Sequence, residues 1–148
     1  AHTTGFSRQR LAWLRRQLEI VKWYAEKGQV VHALALAREW LPSLLCCHFG
    51  LDPLSERDRG EMEFLLLGGR RESRVSRYLS AWGSVPEGPR LKSLWTGRLQ
   101  LTGLRNDVLH CGFRKNRKDA AVITAEMRHV LRELDVIAAA WGLPEEGA

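Results

Sequence analysis

Three side chains with complementary chemistry lie within six residues of one another: Arg105, Asn106 and His110. On a helix, Asn106 and His110 are four positions apart and share one face. Arg105 lies about 100° round the helix, but its side chain is long enough to reach the same region. Arginine offers a planar fork of donors for phosphate oxygens, and histidine can move protons near neutral pH. The set therefore suits phosphate chemistry without a metal. From spacing alone a purely structural role for His110 stays open, because single helix histidines are more often structural than catalytic.

The positive charge of the chain is concentrated around these residues. The whole sequence carries a formal charge of +6, whereas residues 88–118 alone carry +7, so the remainder amounts to about −1. Eight bases and the single acid Asp107 make up that balance. The bases are Arg90, Lys92, Arg98, Arg105, Arg114, Lys115, Arg117 and Lys118. This concentration favours a phosphate-binding surface over the alternative of a solvated face that only aids solubility.

Length and composition indicate one compact globular domain. The chain has 148 residues, of which 45% are hydrophobic and 27% charged, a balance that disfavours disorder. Residues 1–6 are expected to be a tag or linker remnant and residues 7–148 a single helical domain. No run of about 18 apolar residues is present, so no membrane-spanning helix is expected. Three cysteines, an odd number, favour a reducing, cytoplasmic location.

The hydrophobic spacing is helical nearly throughout, which predicts an all-α fold: a compact, dimerising bundle of four to six helices. The expected elements, in chain order, are a helix from a Ser7 cap to a Gly28 stop, a helix over 30–45 kinked or broken at Pro42, a helix over 56–67 capped by Ser55, a short helix over 70–81, a loop over 83–90, a long helix over 91–111, a basic loop over 112–118, and a last helix from an Asp119 cap to Trp141. Most of the six tryptophans are expected in the core or in an interface.

A zinc site is the weaker interpretation of the cysteines. Cys46, Cys47 and His48 are consecutive, and His110 precedes Cys111. Structural zinc sites use well-spaced ligand pairs, whereas adjacent residues point in different directions. Buried thiols in an apolar helix are therefore expected, with neither a metal nor another cofactor.

Two segments resemble the HEPN superfamily. Arg105-Asn106-x-x-x-His110 is similar to the R-x4-6-H motif of that family, and the residues that follow, 111–114, look like its "H-x-G-F" continuation. Residues 23–41 are similar to a helical segment in the HEPN half of type III CRISPR ancillary ribonucleases. Together these segments cover about a third of the chain.

The resemblance implies a metal-independent endoribonuclease that cuts single-stranded RNA and leaves a 2′,3′-cyclic phosphate. It implies a homodimer in which the Arg and His of both protomers form one composite cleft. Arg105 would hold the scissile phosphate, His110 would assist proton transfer or position the 2′-hydroxyl, and Asn106 would orient the pair. The bases expected to guide the RNA backbone are Arg98, Arg114, Lys115, Arg117 and Lys118.

The CRISPR-associated members also carry an N-terminal CARF domain that senses cyclic oligoadenylate, and this sequence has no matching βαβ pattern. It would thus correspond to the effector half, with such regulation available only through a sensor domain outside this chain. Two alternatives stay open. One is a non-catalytic helical module that binds RNA or nucleotides and dimerises, and the other is a HEPN toxin paired with a nucleotidyltransferase.

Overall fold

The computed structural model describes residues 5–97, 101, 103 and 117–145, and these residues are mainly helical. The elements in chain order are α1 (Gly5–Glu26), α2 (Val30–His48), α3 (Glu56–Leu66), β1 (Arg70–Arg71), β2 (Arg74–Val75), a 3₁₀ helix (Leu79–Ser84), α4 (Gly88–Thr96) and α5 (Arg117–Ala140). The two strands form one short antiparallel hairpin. The predicted all-α fold is confirmed.

Helices α1 and α2 form the centre of the core. The α1 residues Leu14, Leu18 and Val21 are at most 1% exposed, as their three- and four-residue spacing predicts. The indole of Trp40 in α2 is 2% exposed and donates a hydrogen bond to the Leu14 carbonyl at 3.0 Å. Between the two helices, Gly28 has a φ of +75°, a conformation that L side chains rarely adopt. The predicted stop at Gly28 is therefore confirmed.

Helix α2 continues through Pro42, so the predicted break is absent. Proline has no backbone N–H, and Arg59 supplies hydrogen bonds beside it. The Arg59 guanidinium donates to the Glu39 carbonyl at 2.6 Å, to the Ser43 hydroxyl at 2.8 Å and to the Pro53 carbonyl at 2.9 Å. Since Pro42 is also buried, we infer that these bonds and the surrounding packing keep α2 continuous at the position where an isolated helix would be weakest.

Within the described ranges, α2 is the one helix long and apolar enough to cross a bilayer. Its most apolar stretch is 56% buried inside the bundle, as in the core helix of a globular protein. The buried residues include Cys46, which is fully enclosed, while Cys47 is half-buried. Both are free thiols. The predicted burial is thus confirmed for Cys46 and only partial for Cys47, while Cys111 lies outside the described residues.

The segment after α3 differs from its prediction. Ser55 does cap α3, since its hydroxyl accepts a hydrogen bond from the Asp58 amide at 3.2 Å. The helix predicted over 70–81, however, is wrong: the chain forms the β1–β2 hairpin and then the 3₁₀ helix. Gly68 and Gly69 cause the change, because their φ values of +120° and +72° redirect the backbone out of α3.

Four further boundaries differ from their predictions. The loop expected over 83–90 is shorter, because the 3₁₀ helix extends to Ser84 and α4 begins at Gly88, with a proline in its first turn. Helix α4 ends at Thr96, so the long helix expected over 91–111 is interrupted at Gly97. Helix α1 begins at Gly5 and α5 at Arg117, so neither Ser7 nor Asp119 is a cap.

The buried face of α5 follows the predicted spacing. Met127, Val130, Leu134 and Ile137 are at most 5% exposed, and Trp141 lies just beyond the helix end. Among the tryptophans, Trp40 and Trp95 are buried and Trp13, Trp82 and Trp141 pack against the core at partial exposure. Trp23 is the exception, because it is 50% exposed.

Candidate functional site

The residues of the predicted catalytic cluster, Arg105, Asn106 and His110, lie outside the described residues. The same holds for three of the predicted RNA-guiding bases, Arg98, Arg114 and Lys115. The other two, Arg117 and Lys118, belong to the first turn of α5. The expectation that His110 and Arg105 share one cleft therefore stays a prediction, and the structure describes the two helices that flank it.

These flanking helices, α4 and α5, are joined to each other. The Arg90 guanidinium of α4 forms an ion pair with the Glu133 carboxylate of α5. It also contacts Glu87 at 3.3 Å, just before α4. Beyond the end of α5, the Trp141 indole donates to the Pro86 carbonyl at 2.8 Å. The described ends of the basic span are thus fixed to one helical frame.

A close backbone approach ends α4. The Gly97 amide donates to the Ser93 carbonyl at 2.9 Å, and a Cβ at position 97 would lie 2.6 Å from that carbonyl oxygen. Glycine is the residue that fits here without a clash. Further along, Leu101 is 1% exposed and belongs to the same core. An apolar anchor therefore lies four residues before Arg105.

Part of the predicted basic surface is engaged inside the molecule. Burial disfavours the Arg90 cation, but the bonds to Glu87 and Glu133 outweigh this effect and raise its pKa. The Lys92 ammonium lies 4.7 Å from the centre of the Trp82 ring, a cation–π contact. Two of the eight bases, Arg90 and Lys92, thus contribute to packing between elements.

A second pair with catalytic residue types, His48 and Ser84, has the wrong hydrogen-bond direction for nucleophilic catalysis. The two side chains are 3.0 Å apart, and the Ser84 hydroxyl donates to the Ala81 carbonyl at 2.6 Å. Because that hydroxyl has one proton, His48 must donate to it and cannot accept from it. Burial also lowers the pKa of His48. The pair therefore connects the end of α2 to the 3₁₀ helix.

The thiols next to this pair are poor nucleophiles. Burial raises the pKa of Cys46 to about 11 and also raises that of Cys47. Both stay protonated at neutral pH, whereas the thiolate is the reactive and metal-binding form. In the part of the chain that the structure describes, no group of three His, Cys, Asp or Glu side chains is arranged to hold a metal ion.

The structure also shows a basic surface that sequence reasoning missed. The β1–β2 hairpin and the residues after it display Arg70, Arg71, Arg74 and Arg77, all exposed. The available signal was the charge of residues 70–78, four arginines against one glutamate. In the total charge outside residues 88–118, about −1, these arginines cancel against acids elsewhere in the chain.

Comparison of the chain with protein-family models, with curated proteins and with solved structures found no match.

Proposed function

We propose that this chain is a metal-independent endoribonuclease of the HEPN type, which cleaves single-stranded RNA at a composite site formed by two copies of the chain. The observation that carries the proposal is Arg105-Asn106-x-x-x-His110 inside a segment of charge +7. The all-α fold is compatible with it. The helices α4 and α5, joined through Arg90 and Glu133, precede and follow this segment in the chain.

The proposed reaction uses the substrate's own nucleophile. The 2′-hydroxyl oxygen bonds to the adjacent phosphorus, and the bond from phosphorus to the 5′-oxygen of the next nucleotide breaks. The proton lost from the 2′-hydroxyl is balanced by the proton gained on the 5′-oxygen, with His110 assisting the transfer. Arg105 holds the phosphate oxygens as negative charge develops on them. Asn106 orients the pair. The products are a 2′,3′-cyclic phosphate and a 5′-hydroxyl.

The test is cleavage of single-stranded RNA in EDTA by the purified chain. We expect Arg105→Ala and His110→Ala each to abolish cleavage while the helical circular-dichroism spectrum and the dimer are retained. Matched controls are Arg16→Ala and His129→Ala, because both side chains are exposed on helices far in sequence from the cluster. Undiminished cleavage by either cluster variant would overturn the site assignment, and a strictly monomeric active state would overturn the composite cleft.

A non-catalytic RNA-binding and dimerising module is the second candidate, and the exposed arginines of residues 70–77 favour it. Their charge suits phosphate binding without any requirement for cleavage. RNA binding by a verified dimer, with no cyclic-phosphate product, would select this candidate. Co-purification with a nucleotidyltransferase would instead select the toxin alternative. Regulation by cyclic oligoadenylate would require a sensor domain on a longer chain.

A further inference from the structure

A strongly basic surface among the described residues is the segment 69–78, here called the arginine hairpin. It includes β1, the turn, β2 and the residues up to Tyr78. Its four arginines and the single acid Glu72 give it a net charge of +3. All four arginines are exposed. This surface lies in a different part of the chain from Arg105 and His110.

The arginine hairpin is anchored firmly to the core. The Ser76 amide donates to the Gly69 carbonyl at 2.8 Å, and the buried Ser76 hydroxyl accepts from the Tyr78 amide at 3.2 Å. A Cβ on Gly69 would lie 3.2 Å from the Leu79 side chain, which shows how closely the backbone packs there. The arginines are therefore displayed from a fixed backbone.

The arrangement of charge in the arginine hairpin costs stability. Arg71 and Arg74 are directly opposite each other across the two strands, where like charges repel. Glu72 in the turn has a φ of +51°, which is unfavourable for a residue with a side chain. A sequence optimised for folding alone would place glycine or asparagine in the turn and opposite charges across it.

Much of this charge is not neutralised within the described part of the chain. Arg74 pairs with Glu61 and lies 4.1 Å above the Phe64 ring. Among the described residues, no carboxylate forms an ion pair with the exposed side chains of four other arginines. These are Arg57 of α3, Arg70, Arg71 and Arg77.

A cleft joins α3 to the arginine hairpin. It has a volume of about 350 Å³, and Arg57, Arg74, Arg77 and Tyr78 line it together with Leu51 and Val75. Its two acids, Asp58 and Glu61, already have partners. Asp58 accepts a hydrogen bond from the Asp52 amide at 2.9 Å, and Glu61 pairs with Arg74. The lining thus has three arginines and two carboxylates, a net charge of +1.

We propose that the arginine hairpin and Arg57 bind the phosphate backbone of a single-stranded nucleic acid. The planar guanidinium fork matches phosphate oxygens, and a flexible single strand can follow a narrow cleft. Tyr78 has Arg77 on its ring at 4.9 Å and Phe49 at 5.0 Å, so bases have little access to it. Binding is therefore to the backbone and independent of sequence. Val75 is the one exposed apolar side chain of the hairpin, too little for insertion into a membrane.

This inference does not depend on the proposed cleavage, and its test keeps the two apart. Binding of a fluorescently labelled single-stranded RNA is measured by anisotropy over a range of salt concentrations, in the Arg105→Ala/His110→Ala background. Single-stranded DNA of the same sequence is the second probe. The test variant is Arg57→Gln/Arg77→Gln. The matched control is Arg8→Gln/Arg16→Gln, which removes the same charge from exposed arginines of α1.

Loss of two phosphate contacts on a single strand should lower the slope of log K against log salt by about 1.4 and weaken binding on the order of tenfold at 0.1 M salt. The α1 control should bind like the parent. Arg57→Lys/Arg77→Lys should restore the salt slope, which separates lost charge from lost folding. RNA and DNA should bind alike, because both present the same backbone.

Three results would overturn the proposal. One is equal weakening by the cleft and α1 variants, and another is a lysine variant that keeps the reduced slope. The third uses phosphatidylserine vesicles as a further probe: loss of vesicle binding in Arg57→Gln/Arg77→Gln with RNA binding intact would assign the surface to a membrane instead. None of these outcomes depends on cleavage, so failure of the ribonuclease proposal can be distinguished from failure of the binding proposal.

Discussion

Arg90 of α4 and Glu133 of α5 form an ion pair between two helices that are separated in sequence by the segment containing Arg105 and His110. The two side chains are 33% and 21% exposed, so solvent screens the pair only in part. The ion pair therefore stabilises the contact between the helix before the proposed catalytic segment and the helix after it.

Loss of this ion pair should weaken the frame measurably. Glu133→Gln is expected to lower the free energy of unfolding by roughly 0.5–1 kcal/mol, because a partly exposed pair in a network contributes about that much. The effect should shrink at high salt. Glu126→Gln is the matched control on the same helix, since Glu126 forms no ion pair within the described residues. Urea unfolding gives both values, and equal stability of the two variants would contradict the role assigned to Glu133.

The end of α4 gives a prediction with an internal control. Gly97→Ala would place a Cβ 2.6 Å from the Ser93 carbonyl oxygen, and we expect a loss of about 1–3 kcal/mol from the resulting displacement. Gly60 lies in the middle of α3 with nothing within 4 Å of its would-be Cβ. Gly60→Ala should therefore raise the free energy of unfolding by up to about 1 kcal/mol. Unfolding midpoints that move in the same direction for both variants would refute this account of the helix end.

These two glycines show which parts of the fold could be predicted from sequence. The buried faces of helices could be predicted, because the spacing of residues such as Leu14, Leu18 and Val130 indicates directly which side is buried. Some helix ends could also be predicted, such as the stop at Gly28 and the cap at Ser55. The end of α4 could not, because it depends on a contact that spacing does not encode. Gly97 ends α4 through its own close approach to Ser93.

The candidate site, too, could be predicted from sequence only in part. The Arg105–His110 pattern is visible in the sequence, but whether the side chains meet depends on tertiary and dimer geometry, which spacing cannot supply. The arginine hairpin was missed for another reason. Its positive charge cancels against acids elsewhere in a chain-wide tally, and its short strands carry no hydrophobic alternation that would predict a hairpin.

The contact between Trp40 and Leu14 should be among the most sensitive in the core. Trp40→Phe removes the hydrogen bond to the Leu14 carbonyl and leaves a cavity at a position that is 2% exposed. We expect a loss of roughly 2 kcal/mol. Trp23→Phe is the control, because Trp23 is 50% exposed on the neighbouring helix, and it should change stability by less than about 0.5 kcal/mol. Denaturant unfolding followed by circular dichroism tests both, and a larger effect at Trp23 would contradict the described core.

His48 should make the fold sensitive to mild acid. Burial lowers its pKa in the folded chain, so the unfolded chain takes up the proton more readily. Stability should therefore fall as the pH drops through the unfolded value of about 6.5, and this contribution levels off below the lowered folded pKa. His48→Gln, which keeps an N–H donor for Ser84, should reduce the loss between pH 7 and pH 5, whereas His129→Gln at an exposed position should leave it as in the parent. Urea midpoints at the two pH values measure the loss, and an unchanged pH dependence in His48→Gln would show that His48 is not its source.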